Sequence, residues 1–327
     1  MWNTLRPFLF LVMPAMGQAH AQTATIDGRV IDHTGAPIPF VNIGVRSTRI
    51  GCVSDEHGRF HLDLPKGHSG DSITFSAIGH KTITLAPTDV MNLAQMQVTL
   101  PRKVYELPML EVHPQAMRSE TLGTHKGIAP GGTSIQSVQG GAAMALLIEP
   151  PEGSFEVIKA SVTILENELD TFLLRFRFLG VDPVTGYPAQ DLVHEDMILR
   201  SGIDKGGASL DLSARDIRLR GPFYLAVEWI NDERTAELLR KREATKGPRI
   251  QGEIRNNKVV RRDEEGRVIE KRRLTDAELE QLEQNRVPRV YLRTRSGGRH
   301  TCLTRDASLS DWVPSSDVLV ANVTIVQ

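Results

Sequence analysis

The chain of 327 residues is poor in cysteine, and this shortage limits its chemistry. Its two cysteines, Cys52 and Cys302, do not form a Cys-x-x-Cys pair, which excludes a dithiol redox motif and a zinc ribbon. Because they lie far apart in sequence and in separate predicted domains, we expect two buried free thiols and no disulfide.

The chain also lacks an excess of charge and long apolar runs. It has 39 basic and 40 acidic residues, so its formal net charge is −1. A balance this close to neutral gives no reason to expect a nucleic-acid partner. A membrane-spanning helix needs about 20 apolar residues, and no such run occurs, so we expect no transmembrane span in the mature chain.

Common catalytic signatures are missing as well. The sequence contains no His-Glu-x-x-His, no His-x-x-Glu of the kind that zinc carboxypeptidases use, and no Gly-x-Ser-x-Gly or Ser-x-x-Lys. It has no Walker loop or EF-hand either. We therefore predict a protein that is not an enzyme, with no catalytic residues, no cofactor and no metal ligands.

Residues 1–21 have the pattern of a secretory signal peptide. Arg6 precedes a short apolar run at 8–13, and the segment closes with Ala19-His20-Ala21, a small-x-small cleavage site. A buried first helix or a membrane anchor is the alternative. Cleavage leaves Gln22 at the new N-terminus, where a lipoprotein would need Cys. The expected location is periplasmic, outer-surface or secreted.

Residues 22–112 show the two-residue alternation of apolar and polar side chains that is typical of β-strands. Turn residues separate these runs, as in Asp32 to Gly35 and Asp55 to Gly58, where an acidic residue opens a turn and glycine can take positive φ. The alternation predicts a small antiparallel sandwich with strands at 26–30, 41–45, 60–64, 73–77, 83–85 and 96–100, and a seventh at 107–112.

Several motifs in this region carry a family resemblance: Gly28-Arg29-Val30, Pro39 to Ile43, Gly51 to Phe60 and Asp71 to His80. On these residues the region resembles the carboxypeptidase-regulatory-like domain family. The resemblance implies a transthyretin-like seven-stranded β-sandwich, frequent in exported proteins of Bacteroidetes-type bacteria and at the front of TonB-dependent outer-membrane transporters. The family usually has Thr at the position of Cys52 and Tyr at that of His80, which leaves the fold unaffected. The resemblance implies no activity, because the catalytic part of the carboxypeptidases is a separate domain.

Residues 113–142 are predicted to be a linker, and 143–327 a second domain. Gly140-Gly141 at the end of the linker indicates flexibility. Strand alternation resumes afterwards without regular βα repeats, which favours an all-β protein whose second domain is an antiparallel sandwich or jelly roll. This half resembles the C-terminal half of bacterial proteins that begin with the same sandwich, and the resemblance attaches no activity to it. The resemblance rests on Phe176-Arg177-Phe178, Asp211-Leu212-Ser213 and the run from Phe223 to Ile230.

One charged insert interrupts the second domain at residues 233–286. Half of its residues are charged, so little of it can be core. Thr275-Asp276-Ala277-Glu278 is a capping box that predicts a short helix. Two interpretations remain open: a solvated hairpin and helix on the sandwich surface, which the mixed charges favour, or a protruding arm that docks a partner.

Several single residues are candidates for a site. His194-Glu195-Asp196 groups a histidine with two acids, but neighbours on a strand point to opposite faces, so we expect no shared metal. His57 and His61 are expected to be solvated, and Asp211 to lie on the polar face of a strand. Trp229 is expected in the core. Trp312, beside Asp311 and Pro314, is the one ligand-binding candidate, because an exposed aromatic ring can stack on a sugar.

These observations lead to two hypotheses on function. The first is an exported, non-enzymatic binding or accessory protein of the cell envelope, whose partner is an envelope protein, a peptide or a surface glycan. The second is a carboxypeptidase-associated or other hydrolase accessory protein with an unrecognised site. An enzyme should show a pocket with converging titratable groups, and a binding module an exposed apolar patch.

Overall fold

The computed structural model describes residues 24–65, 67–68, 70–86, 96–103, 118–124, 131–244, 253–255, 258–262, 267–284, 288–296 and 300–327. Strands dominate these residues, which confirms the predicted all-β fold class. Neither helix in the described part of the chain has the length and apolar character that a membrane crossing needs. The signal-peptide prediction falls on residues 1–21, which lie outside the described residues.

The first sandwich consists of seven strands in two sheets. One sheet has the order β4-β1-β7 and the other β3-β2-β5-β6. The pair β1 and β7 runs parallel, whereas the alternation pattern had predicted only antiparallel pairs. The strands are β1 (Ala24–Ile31), β2 (Asn42–Gly44), β3 (Gly51–Val53), β4 (Arg59–Leu64), β5 (Ile73–Ser76), β6 (Ile83–Leu85) and β7 (Met96–Thr99).

Alternation and turn chemistry explain this sandwich locally. On β4 the side chains of Phe60, Leu62 and Leu64 are buried and those between them face outward. Asp32 accepts hydrogen bonds from the backbone of Thr34 and Ala36, and Gly35 takes a φ of 86°. The turn from Asp55 to Gly58 is built in the same way, with a φ of 72° at Gly58.

The seventh strand differs from the prediction. Among the described residues it is β3, whose three residues are too few to show alternation. Gly51 is required there because a Cβ at this position would lie 2.5 Å from the backbone oxygen of Ser308. Residues 107–112, predicted as a strand, lie outside the described residues.

The second sandwich packs a seven-stranded sheet against an eight-stranded one. The first sheet has the order β13-β12-β17-β10-β22-β23 with β14 paired to β12, and the second has the order β24-β21-β11-β25-β8 with β15, β16 and β9 attached. Their facing sides enclose the larger core. The strands are β8 (Ser119–Gly123), β9 (Gly131–Thr133), β10 (Ala143–Ile148), β11 (Ser154–Asn167), β12 (Phe172–Val181), β13 (Pro188–Asp191), β14 (Met197–Ser201), β15 (Gly206–Asp211), β16 (Arg218–Arg220), β17 (Phe223–Ile230), β21 (Val290–Ser296), β22 (Cys302–Arg305), β23 (Val313–Pro314), β24 (Asp317–Leu319) and β25 (Ala321–Val326).

Part of the predicted linker belongs to this sandwich. β8 pairs with β25 and β9 pairs with β21, so residues 119–123 and 131–133 are sheet strands. The paired glycines of β9, Gly131 and Gly132, serve close packing. A Cβ on Gly131 would lie 2.9 Å from Oγ1 of Thr294, and one on Gly132 would overlap Leu165.

The charged insert contains two helices and a small sheet. Helix α1 (Glu233–Ala244) precedes the antiparallel sheet of β18 (Glu253–Arg255), β19 (Lys258–Arg262) and β20 (Val268–Arg273), and helix α2 (Asp276–Gln284) follows. The predicted capping box is confirmed, since the backbone N–H of Glu278 donates to Thr275 Oγ1 at 3.2 Å and that of Thr275 to Glu278 Oε2 at 2.9 Å.

Helix α1 was not predicted. Its signal is Asp232, whose carboxylate accepts the backbone N–H of Thr235 at 2.8 Å as an N-cap. The helix brings Glu233 and Ala236 close to the first sandwich, where both line a cleft.

Candidate functional site

The outer face of the seven-stranded sheet carries a buried ion pair. Arg175 on β12 and Glu228 on β17 are cross-strand neighbours, and the side chain of each has 0% exposure. Arg175 Nε donates to Glu228 Oε2 at 3.1 Å, and Arg175 Nη2 lies 3.0 Å from the same oxygen. Two charges this deeply buried need further partners.

Four more charged residues supply those partners. Arg305 donates to Glu228 Oε1 at 2.9 Å, and Arg177 Nη1 lies 3.4 Å from Glu228 Oε2. Arg177 also forms a forked pair with Asp191 at 2.8 and 2.7 Å. Asp196 accepts from Arg175 Nη1 at 3.2 Å. Three guanidinium groups therefore face three carboxylates, and their formal charges cancel.

Burial and charge compete in setting the pKa values of this cluster. Burial opposes the ionisation of Glu228, but the guanidinium groups of Arg175, Arg305 and Arg177 outweigh it and hold the pKa of Glu228 at about 2. Burial lowers the pKa of Arg305 to about 10, against the attraction of Glu228. At neutral pH both groups are therefore charged, and they act as a structural pair.

The first sandwich is docked onto this cluster through Phe40. Arg175 Nη1 donates to the backbone carbonyl of Phe40 at 2.7 Å, and the Phe40 ring packs with Leu173 and Ile230. Phe40 has a φ of 54°, a left-handed conformation that is strained for a bulky residue. In the docked arrangement, the hydrogen bond from the buried guanidinium to the Phe40 carbonyl offsets the strain of this backbone conformation.

Other contacts between the sandwiches also combine hydrogen bonds with backbone of positive φ. Ser308 Oγ donates to Asn42 Oδ1 at 2.7 Å in a buried position. The backbone N–H of Ser47 donates to the carbonyl of Leu309 at 3.2 Å, and both residues have positive φ, 57° and 63°. Of the four described non-glycine residues with positive φ, three lie at this interface. Backbone strain is therefore concentrated where the two sandwiches meet.

A cleft of about 550 Å³ opens beside this interface. One wall is formed by β3 and β4 of the first sandwich, and the opposite wall by α1 of the insert. Residues 138–139, which precede β10, complete it. The lining residues are Asp27, Cys52, Val53, Asp55, Arg59, Phe60, His61, Asp63, Val138, Gln139, Asn231, Glu233, Ala236 and Arg240.

One part of the cleft holds a histidine between two carboxylates. His61 and Asp27 are cross-strand partners on β4 and β1, and His61 Nδ1 lies 2.7 Å from Asp27 Oδ1. On the other side, His61 Nε2 lies 3.5 Å from Asp63 Oδ1. Gln139 Nε2 donates to Asp63 Oδ2 at 3.2 Å. All three titratable groups are partly exposed, so they are available to a ligand.

A second part is an ion-pair chain that crosses the cleft. Arg59 Nε donates to Asp55 Oδ2 at 2.8 Å, and Arg59 Nη2 lies 2.9 Å from Glu233 Oε1 on α1. The hydrogen bond and charge of Asp55, with a smaller contribution from Glu233, raise the pKa of Arg59. Arg59 is therefore held by two carboxylates, one from each wall of the cleft.

Both cysteines are free and buried, as predicted. Cys52 lies among the residues that line the cleft, and burial raises its thiol pKa far above the ordinary value, although a hydrogen bond from the His61 backbone opposes the shift. Burial raises the pKa of Cys302 to about 11. Within the described residues, no group of three His, Cys, Asp or Glu side chains could hold a metal ion.

The structure separates the predicted cluster at residues 194–196. Glu195 pairs with Arg215 at 2.7 Å, whereas Asp196 contacts Arg175 in the buried cluster. Burial is the main cause that lowers the pKa of His194. The three side chains therefore have different surroundings. The expected strand is wrong at these residues, because β13 ends at Asp191 and β14 begins at Met197.

The remaining candidates have local roles. Asp211 Oδ1 accepts from the backbone N–H and the hydroxyl of Ser213, at 3.0 and 2.7 Å, and so caps a turn. Trp229 is buried, and its Nε1 donates to Asn231 Oδ1 at 2.7 Å. His57 is exposed in its turn. Of the candidates singled out in the sequence, only His61 lines the cleft.

Trp312, the ligand-binding candidate, lies at the other end of the buried cluster. The guanidinium carbon of Arg305 is 4.9 Å from the ring centroid, a cation–π geometry. The ring is half-buried and packs against a small apolar group that includes Tyr224 and Leu303. One face of the ring is thus already occupied by the protein.

The sequence interpretation missed Arg175, Glu228 and Arg305. A signal existed for Glu228, which is the one charged residue in the otherwise apolar run of β17. A lone acid within a strand that is apolar on both faces indicates a buried partner of opposite charge. No comparable local signal distinguishes Arg175 from an ordinary solvent-facing residue of an alternating strand.

The fold and the cleft define an all-β protein of two docked sandwiches. Residues 26–108 match the family model of the CarboxypepD_reg-like domain, and the first sandwich is a domain of that family. The chain is also similar to the TonB-dependent receptor SusC of Bacteroides thetaiotaomicron, with 37% identity over 82 residues. The matched stretch is 25% of this chain and 7% of the receptor, so the chain spans only a small part of that curated relative.

Proposed function

We propose that the chain is an exported, non-enzymatic binding or accessory protein of a bacterial cell envelope, and that its ligand enters the cleft between the two sandwiches. One observation carries this proposal: both sandwiches contribute side chains to the cleft, which therefore exists only in the docked arrangement. The family of the first sandwich and its similarity to part of a TonB-dependent receptor support the envelope assignment.

The chemistry of the cleft favours binding over covalent catalysis. The thiol in the cleft wall is that of Cys52, and burial keeps it protonated at neutral pH. Arg59 is engaged by Asp55 and Glu233, which leaves it as a fixed feature of the wall. Partly exposed carboxylates, amides and a histidine form a polar surface that can orient a ligand by hydrogen bonds.

The docked sandwiches give the cleft rigid walls. The buried cluster around Glu228 and the apolar contact of Phe40 fix the relative position of the two domains. A preorganised cleft loses less conformational entropy on binding than a flexible one.

A blocked-cleft experiment tests the proposal. The Ala236→Trp variant places a large side chain into the cleft from α1, and Glu237→Trp places the same side chain on the same helix outside the lining residues. Tagged protein is isolated from native envelopes, and its partners are compared by mass spectrometry. We expect the parent and Glu237→Trp proteins to retain the same partner and Ala236→Trp to lose it.

Retention of the same partner by all three proteins would overturn the assignment of the cleft. Recovery of the parent chain as a free monomer with peptidase or glycosidase turnover would favour the hydrolase-associated hypothesis instead.

A further inference from the structure

We propose that the cleft takes an extended peptide segment bearing lysine or arginine, which adds a strand to the open edge of β4. The inference rests on the proposed function, because it names the class of ligand for the same cleft. Three features carry it: an unpaired strand edge, a surplus of hydrogen-bond acceptors and the size of the space.

The two sheets of the first sandwich present β3 and β4 as edge strands. The chain itself covers the edge of β3, since the backbone N–H of Val53 donates to the carbonyl of Gln139 at 2.8 Å. At the start of β4, the backbone groups of Arg59 bond to Asp55. Both edges are therefore closed at these points by residues of the chain.

The far half of β4 is open. The backbone groups of Arg59 bond to Asp55 on the side away from β1, and those of His61, two residues on, face the same way. The His61 N–H on this side faces the thiol of Cys52, which leaves the His61 C=O and the backbone groups of Asp63 for an added strand. Backbone groups two residues apart on a strand point the same way, so the N–H and C=O of Asp63 also face away from β1. Within the part of the chain that the structure describes, β4 has β1 as its only ladder partner. An open edge of this kind is a template for a strand from another chain.

The side chains beside this edge select the charge of the ligand. When ionised, the carboxylates of Asp27 and Asp63 can accept hydrogen bonds but cannot donate them. His61 Nδ1 lies 2.7 Å from Asp27 Oδ1 and Nε2 lies 3.5 Å from Asp63 Oδ1, so one imidazole is shared by two carboxylates. Asp63 also accepts from Thr25 Oγ1 at 3.3 Å and from Gln139 Nε2 at 3.2 Å. The two carboxylates still outnumber the one imidazole between them, and a lysine ammonium or an arginine guanidinium supplies further donors and the opposite charge.

Strand geometry joins these two features. Side chains at alternate positions of an added strand stand on the same sheet face as Asp27, His61 and Asp63, within reach of cross-strand pairing. The cleft volume of about 550 Å³ admits a short segment. The small side chain of Ala236 on the opposite wall leaves room for it.

Calorimetric titration of the full chain with a blocked pentapeptide of alternating lysine and valine tests the inference. Two peptides serve as matched probes: one with glutamate in place of lysine, and one with alternate backbone nitrogens methylated. We expect the lysine peptide to bind, and the other two to bind at least tenfold more weakly. Asp27→Asn combined with Asp63→Asn should weaken the lysine peptide about tenfold. Glu195→Gln, in an exposed ion pair elsewhere, should leave binding unchanged.

Equal binding of the lysine and glutamate peptides would overturn the inference, as would binding that survives backbone methylation. If lysine amide alone binds as tightly as the peptide, the strand addition is wrong. Loss of the envelope partner in Ala236→Trp without any binding of the lysine peptide would leave the proposed function standing and reject this ligand class. Retention of the envelope partner by Ala236→Trp, together with no binding of the lysine peptide, would reject both.

Discussion

Each sandwich carries one charged cluster near their junction, and the two clusters differ in exposure. The cluster around Glu228 is buried, and its three guanidinium groups and three carboxylates are matched. The cluster of Asp27, His61 and Asp63 is open to solvent and has more acceptors than donors. Charges removed from water need complete pairing, whereas charges in water stay available to a ligand. Burial therefore assigns docking to the first cluster and binding to the second.

The largest expected effect comes from breaking the buried cluster. Glu228→Gln keeps the shape of the side chain but leaves three buried guanidinium groups with two carboxylates, and it removes the carboxylate that pairs with Arg305. We expect a loss of about 3–5 kcal/mol in the free energy of unfolding, the cost of a buried charge without its partner. Urea unfolding of the purified variant measures this loss. A change below about 1 kcal/mol would show that the cluster does not hold the sandwiches together.

The second largest effect is expected at low pH, where protonation of Glu228 should weaken the buried cluster. The pKa of Glu228 is about 2 in the folded chain against an ordinary value of 4.5, so its stabilisation is complete above about pH 4.5 and is lost as the pH falls towards 2. We expect a loss of roughly 3 kcal/mol from this group, measured by urea unfolding at several pH values. Glu278→Gln is the control, because Glu278 is paired in an exposed position. A flat free energy between pH 5 and 2 would contradict the assignment.

A smaller effect is expected at Phe40, where two variants test the strained backbone directly. Both Phe40→Ala and Phe40→Gly remove the contact with Leu173 and Ile230, but glycine adopts a φ of 54° without strain. We expect the glycine variant to be more stable than the alanine variant by about 1 kcal/mol. Thermal unfolding of both variants decides this. The usual order, with alanine more stable, would mean that Phe40 is not held in the left-handed region.

The smallest effect is expected in the cleft. Arg59→Gln removes ion pairs to Asp55 and Glu233 that are partly exposed. The change in the free energy of unfolding should stay within about 1 kcal/mol, because water screens these charges. Chemical denaturation of Arg59→Gln and of Glu228→Gln under the same conditions provides the comparison. A loss as large as that of Glu228→Gln would remove the distinction between the two clusters.

Features that depend on near neighbours in the chain could be predicted. The alternation on β4, the turns opened by Asp32 and Asp55, and the capping box of Thr275 and Glu278 all appear as expected. Each of them depends on residues within a few positions, where geometry follows from residue type.

Features that depend on distant partners were missed or misjudged. β3 is too short to show a pattern, and β8 and β9 become strands only because β25 and β21 offer edges to pair with. Of the candidate site, the sequence interpretation singled out His61 and expected it to be solvated, and the structure places it partly exposed in the cleft. The sequence interpretation did not find Asp27, Asp63 or Arg59, because nothing in the alternation of β1 and β4 indicates what faces their outer side.

Local sequence determined that this chain forms strands, where many of them turn and which side chains face the first core, because these properties follow from period, propensity and turn chemistry. Tertiary structure alone decided that the outward residues Arg175 and Glu228 are buried while Asp27 and Asp63 are not. The reason is physical: a strand pattern specifies two faces, but a second domain decides which outer face loses its water.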